Sequence, residues 1–124
     1  MINLDSIKNL IRTDLKQYDE TLSRTLKSDV RLINKIIVYV TRKKGKQIRP
    51  VLTLLSANCC GKPNEHTYYA AALTEIIHIA TLVHDDIFDE ADTRHGWPSA
   101  KRIWKNKLAT LIGDYMFSKA LTNM

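Results

Sequence analysis

Turn formers are scarce here: four glycines and three prolines in 124 residues. With so little punctuation, and with apolar positions recurring at helical spacing nearly throughout, the pattern implies an all-α fold and leaves no place for a sheet-based one. Cysteine is scarcer still, and the two present, Cys59 and Cys60, are adjacent. Neighbours on a helix point about 100° apart, so neither an ordinary disulfide between them nor a spaced zinc motif is expected. Reduced thiols fit the cytoplasm. No apolar run approaches membrane-spanning length, and the opening Met1-Ile2-Asn3-Leu4-Asp5 lacks a basic-then-apolar signal pattern. A soluble, cytoplasmic protein without an integral membrane segment is expected. Repeats, low-complexity tracts and linkers are missing too, so the chain is one domain at most, with a single helical core.

Acids are the minority charge, 13 against 19 lysines and arginines, for a formal net charge of +6. That excess points to an anionic partner: nucleic acid, an acidic membrane surface or a phosphorylated small molecule. Composition does not choose among them.

The apolar spacing predicts a first helix from residue 4 to about 26, with Leu4, Ile7, Leu10, Ile11, Leu15, Tyr18 and Leu22 on one face and Asn3 or Asp5 as its cap. A second opens at Ser28 or Asp29 and carries Val30, Ile33, Ile36, Ile37 and Val40. Its run Ile36-Ile37-Val38-Tyr39-Val40 is β-branched, but the preceding periodicity and the lack of a partner strand favour helix. A third helix is expected from Pro50 to Cys60, since proline suits a first turn, with Gly61 as its C-terminal cap. Asn64 then caps a long helix. After a break at Thr93-Arg94-His95-Gly96-Trp97-Pro98-Ser99, a short helix through Ile103 and Trp104 and a last one from about Asn106 to Leu121 complete the chain.

The long helix ends in Leu82-Val83-His84-Asp85-Asp86-Ile87-Phe88-Asp89-Glu90, three aspartates in five residues. At about 100° per residue, His78, Asp85 and Asp89 fall within roughly 20° of one line, with Asp92 close to it and Asp86 to its side. Carboxylates four apart on a helix repel, and acids at a helix C-terminus oppose its dipole. A solvated helix end leaves both conflicts standing. A hard divalent cation removes them, because Mg2+ takes carboxylate oxygens and keeps waters and substrate phosphates as its other ligands.

The most basic segment, Arg42-Lys43-Lys44-Gly45-Lys46-Gln47-Ile48-Arg49, ends at Pro50. Lys46 and Arg49 stand just before a predicted helix N-terminus, where unpaired N–H groups, the dipole and two cations would converge on a phosphate or diphosphate. A solvated basic loop is the plain alternative, and the acidic stripe in the same chain argues against it. His78 shares the acidic stripe, as ligand or as satisfied core residue. His84 points elsewhere and reads as structural. Arg94 and His95 could fold back over a bound phosphate.

These residues resemble a known family. Leu82 to Arg94 is similar to the first aspartate-rich motif of trans-polyprenyl diphosphate synthases, and Gly45-Lys46-Gln47-Ile48-Arg49-Pro50 to their basic diphosphate motif. Asn106-Lys107-Leu108-Ala109-Thr110-Leu111-Ile112-Gly113-Asp114-Tyr115 matches a segment that follows in the same family. The resemblance implies that residues 1–124 are the N-terminal portion of an isoprenoid-synthase-type helical bundle whose C-terminal half, with a second aspartate-rich motif, is absent. It implies head-to-tail condensation of isopentenyl diphosphate onto an allylic diphosphate, giving a long all-trans polyprenyl diphosphate of octaprenyl type. Asp85, Asp86 and Asp89 take the catalytic role, with Asp85 and Asp89 as Mg2+ ligands. Lys46, Arg49, His78, Arg94 and His95 bind substrate. Ala80 and Thr81, about one turn below the metal end, are small where a bulky residue would block the growing chain, and so set product length. His95 replaces a common second arginine, which weakens its contact, and Lys44 replaces the first glycine of the basic motif. The half-length chain alone is expected to be inactive or nearly so, and to associate as a homo-oligomer, as the family's homodimers do.

Three other readings compete. A related terpene cyclase or head-to-head synthase would not need the Gly45–Pro50 motif. A basic nucleic-acid-binding module would use Trp97, Trp104, Lys101, Arg102 and Lys105, but the acidic stripe would repel its ligand, and no nucleic acid is expected. A non-catalytic subunit would complete its cavity with another chain.

Overall fold

A computed structural model describes residues 2–42, 45–89, 93–94, 97–98 and 100–123. For residues 42, 86–89, 93–94, 97–98 and 100–104 it describes the backbone alone. The described residues form six helices, α1 (Leu4–Leu10), α2 (Arg12–Leu26), α3 (Arg31–Arg42), α4 (Ile48–Cys60), α5 (Glu65–Asp89) and α6 (Ala100–Thr122). Two-residue segments β1 (Thr93–Arg94) and β2 (Trp97–Pro98) pair antiparallel, Thr93 with Pro98 and Arg94 with Trp97. The all-α class expected from the sequence is the one observed.

Four boundaries differ from expectation. α3 begins at Arg31 rather than at Ser28 or Asp29, although Ser28 Oγ accepts the Val30 N–H at 3.1 Å. The first helix is broken at Ile11, whose N–H reaches only three residues back, to the Lys8 carbonyl at 3.3 Å, while its side chain turns into the core. No glycine or proline marks that break. The third helix starts at Ile48 rather than Pro50. Pro50 lies third in α4, within the first turn, where a missing N–H costs no intrahelical bond. Gln47, at φ 56° and ψ 35°, supplies the left-handed turn into it. The two C-terminal helices are one, because no breaker separates Ile103 from Asn106.

Elsewhere the caps are as read. Asn3 Oδ1 accepts the Ser6 N–H at 2.9 Å. Asn64 Oδ1 accepts the Thr67 N–H at 3.3 Å, and Thr67 Oγ1 accepts the Asn64 N–H at 3.2 Å. Gly61 ends α4 at φ 155°, where a side chain would be strained. The β-branched run in α3 is helical, and α3 shows its apolar Leu32, Val38 and Tyr39 to solvent.

The core is organised on α5, which packs along α6, α2 and α4. Small residues on its inner side, Ala71, Ala72 and Ala80, flank Ile76, and all four are fully buried. Against them stand Tyr18, Leu22 and Leu26 of α2, Val51 and Leu54 of α4, and Ile112, Met116 and Ala120 of α6. Buried Thr21 and Thr25 hydroxyls donate to the carbonyls of Gln17 and Thr21 at 2.8 Å, so no polar atom is stranded there. Asp14 ties three helices together, accepting the Tyr68 hydroxyl at 2.8 Å and the Asn58 amide at 3.1 Å. The Tyr115 hydroxyl reaches from α6 to the end of α2, 3.1 Å from the Leu26 carbonyl and 3.0 Å from that of Lys27.

Candidate functional site

A cavity of about 720 Å³ opens between α2, α3, the start of α4 and the second half of α5. Its lining joins residues far apart in sequence: Tyr18 and Asp19 from α2, Ile37 and Tyr39 from α3, Gly45, Gln47 and Arg49 around the α4 N-terminus, and Glu75, His78, Ile79, Leu82 and Val83 from α5. Most of the wall is apolar. Its charged lining residues are Lys27, Arg49, Asp19 and Glu75, with His78 one turn from Glu75.

Two of the residues singled out by sequence, Arg49 and His78, therefore meet on one cavity. Arg49 is exposed and His78 half-buried. Lys46 is exposed but is not among the lining residues. Asp85 stands exposed beyond the cavity on α5, and no basic residue occupies that helix's last turn. The side chains of Asp86 and Asp89 lie outside the description, although their backbone continues α5 without interruption.

Helical phase relates these acids to the cavity. Cavity-lining Leu82 is followed, at about 100° per residue, by positions 86 and 89 within roughly 40° of its line, and Asp85 follows the line of His78. Position 86, placed to one side of the stripe by the sequence reading, thus lies nearer the middle of the cavity-lining arc than Asp85 does. All three acid positions extend the α5 wall of the cavity toward its C-terminal end. No group of three metal-ligating side chains is assembled among the described residues. The donor set still suits a hard cation: oxygen ligands at positions 85, 86 and 89, one of them exposed, with no lysine or arginine in the same turn to neutralise them.

Other expected residues fall as follows. Ala80 is wholly buried in the core and does not line the cavity. Thr81 is exposed, and its hydroxyl donates to the His78 carbonyl at 2.7 Å. Arg94 is placed in β1 by its backbone only, and His95 lies outside the described residues. The side chains of Trp97, Lys101, Arg102 and Trp104 are likewise outside the description, so the face postulated for nucleic acid is not defined by it. His84 is structural, as expected: its ring packs against α6, 5.4 Å from that of Phe117. Cys59 and Cys60 are exposed free thiols.

Sequence reasoning missed Tyr18 and Glu75. Burial pushes the Tyr18 phenol well above its ordinary value, and the negative charges of Glu75 and Asp19 push it further. It is a neutral hydroxyl facing the cavity at any physiological pH. Glu75 carried a signal: it precedes His78 by one turn and directly adjoins the apolar pair Ile76-Ile77. Tyr18 carried none, because a tyrosine on an apolar helix face reads simply as core.

Comparison with known proteins fits this geometry. Residues 30–124 match the profile of the polyprenyl synthetase family. The chain is 37% identical over 123 residues to an octaprenyl diphosphate synthase of Escherichia coli, covering 99% of this chain and 38% of that protein. It superposes on the crystal structure of a decaprenyl diphosphate synthase from Rhodobacter capsulatus with a TM-score of 0.83 and 32% identity, over 98% of this chain and 38% of the other. It also superposes on a polyprenyl synthase from Caulobacter crescentus, solved in complex with calcium and isoprenyl diphosphate, with a TM-score of 0.81 and 32% identity over 98% of this chain and 37% of the other. The chain thus spans little more than a third of the proteins it matches. No helix among the described residues is long and apolar enough to cross a membrane.

Proposed function

This chain belongs to the polyprenyl synthetase family, and on that basis we propose that it forms the N-terminal part of the substrate cavity of a cytoplasmic prenyltransferase. The reaction is head-to-tail addition of isopentenyl diphosphate to an allylic prenyl diphosphate, giving a long all-trans product. The observation that carries this reading is the meeting of Arg49 and His78 on one cavity whose α5 wall leads directly into the aspartates at 85, 86 and 89. Arg49 of α4 and His78 of α5, donors for one diphosphate, thus stand on the same cavity as the helix whose carboxylates would serve a metal-bound second one. The Caulobacter neighbour, described with calcium and isoprenyl diphosphate, supports the same pairing of ligands.

In this mechanism Arg49, with Lys46 and His78, holds the isopentenyl diphosphate so that its double bond faces the allylic carbon. Arg49 offers a planar fork of donors suited to phosphate oxygens. Asp85 and Asp89, assisted by Asp86, would hold Mg2+ for the allylic diphosphate, which Arg94 also contacts, while His95 contacts the isopentenyl diphosphate. When bound, Mg2+ neutralises charge building on the departing diphosphate. The apolar wall of Ile37, Ile79, Leu82 and Val83 excludes water from the allylic cation. Ala80 and Thr81, small where a bulky side chain would block the growing chain, permit a long product. Matching little more than a third of its relatives, the chain by itself binds better than it turns over, and it associates with a second copy or with a further segment that closes the cavity.

The purified chain, incubated with labelled isopentenyl diphosphate, farnesyl diphosphate and Mg2+, tests this reading. Mg2+-dependent retention of the diphosphate, abolished by Asp85→Asn and weakened by Arg49→Ala, is the expected result, with little or no prenyl product. Salt-sensitive DNA binding with no Mg2+-dependent diphosphate binding would instead establish the basic nucleic-acid module.

A further inference from the structure

The residue before the first aspartate is held from behind. His84 lies about 180° around α5 from Glu75, on the side opposite the cavity-lining arc. There its ring enters a slot on α6 formed by Thr110, Gly113, Asp114 and Phe117. His84 Nε2 is 3.5 Å from the Thr110 carbonyl oxygen and 3.4 Å from Asp114 Oδ1. The ring lies tilted by 36° against Phe117. The slot exists because residue 113 is glycine: a Cβ there would overlap the His84 ring atoms themselves. A glycine inside a helix is less favourable than alanine, so α6 carries this one for the close approach it permits.

We infer that the His84–Gly113 contact is a positioning device for the aspartates, fixing both the rotation and the distance of the last turn of α5 relative to α6. His84 is a positioning residue and touches no reacting atom. A helix end is free to fray and to rotate by some tens of degrees, and a side chain seated in a slot on one side removes that freedom for the positions on the other. Positions 85, 86 and 89 belong to the turn that the contact anchors. This inference rests on the assignment of those aspartates as metal ligands.

The test is a double-mutant cycle on the full chain with His84→Ala, Gly113→Ala and the combined variant, using Mn2+ with inorganic diphosphate as the probe and spin resonance as the readout. Each single change should weaken Mn2+ binding about tenfold, the usual scale for residues that orient ligands. The combined change removes the ring and fills the slot with a methyl group, so it should recover most of that loss. In the metal-free chain, amide exchange at residues 85–89 should quicken in the single variants and slow again in the pair, with residues 65–80 unaffected. Ordinary packing would instead quicken exchange along the whole helix, residues 65–80 included. Equal Mn2+ affinity in all three variants and the unsubstituted chain overturns the inference. Failure of the unsubstituted chain to bind Mn2+ at all is a different result, overturning the aspartate assignment itself.

Discussion

Tyr18→Phe should make this protein less sensitive to alkali. The Tyr18 side chain is 2% exposed and faces a cavity that also holds Asp19 and Glu75. Burial first, and those carboxylates second, disfavour the phenolate in the folded chain, whereas the unfolded chain titrates near the ordinary value of 10.0. Below pH 10 the phenol is protonated in both states, and its contribution to stability is fully present. Above pH 10 the unfolded state loses the proton while the folded state keeps it. Fewer protons on the unfolded side mean that stability falls with rising pH, by about 1.4 kcal/mol per pH unit for one such group. Urea melts followed by helical circular dichroism at pH 8, 10, 10.5 and 11 would show this as a steeper loss in the unsubstituted chain than in Tyr18→Phe. Tyr68, whose phenol is also raised by burial and by its bond to Asp14, titrates in both proteins and cancels in the difference. Parallel stability curves for the two proteins would refute the claim that Tyr18 is held neutral by its surroundings.

Two further outcomes follow from contacts already described. Tyr115→Phe keeps the ring that Lys119 Nζ approaches at 5.7 Å but loses the hydroxyl at the end of α2. The freed carbonyls can reach water, so the cost should be about 1 kcal/mol, a few degrees in Tm, with Mn2+ binding unchanged. A loss above about 3 kcal/mol would mean that the α2 end depends on this one bond. On the proposed function Ala80→Phe should shorten the prenyl product, but it also overpacks a fully buried site at about 1–3 kcal/mol. Exposed Thr81→Phe should cost under about 0.5 kcal/mol and separates the two effects. Unchanged product lengths in both variants would remove these positions from length control.

What was legible in the sequence was whatever depends on local pattern. The helical class and the caps at Asn3, Asn64 and Gly61 follow from spacing and end chemistry within a few residues. The break at Ile11 was not legible, because it comes from tertiary capture of one isoleucine side chain and leaves no turn residue as a mark. Gln47 likewise adopts a conformation that glycine would advertise and glutamine does not. Tyr18 joins the cavity wall only through the crossing of α2 and α5, and the slot at Gly113 only through that of α5 and α6. A lone glycine in a helical pattern announces a weakened helix, not the partner that needs the space.

The unbroken run of α5 has a consequence for how such a chain can vary. His78 and Asp85 are seven residues apart on one uninterrupted helix, about 10 Å along its axis. That helix is a ruler, and the gap between its two marks is set by covalent geometry rather than by packing. Substitutions around it can widen or narrow the cavity, yet none can change the spacing of these two positions. Only an insertion or deletion between residues 78 and 85 could, and one added residue would swing every later position by about 100°. Lineages carrying this site should therefore tolerate exchange of side chains along the segment while keeping its length invariant.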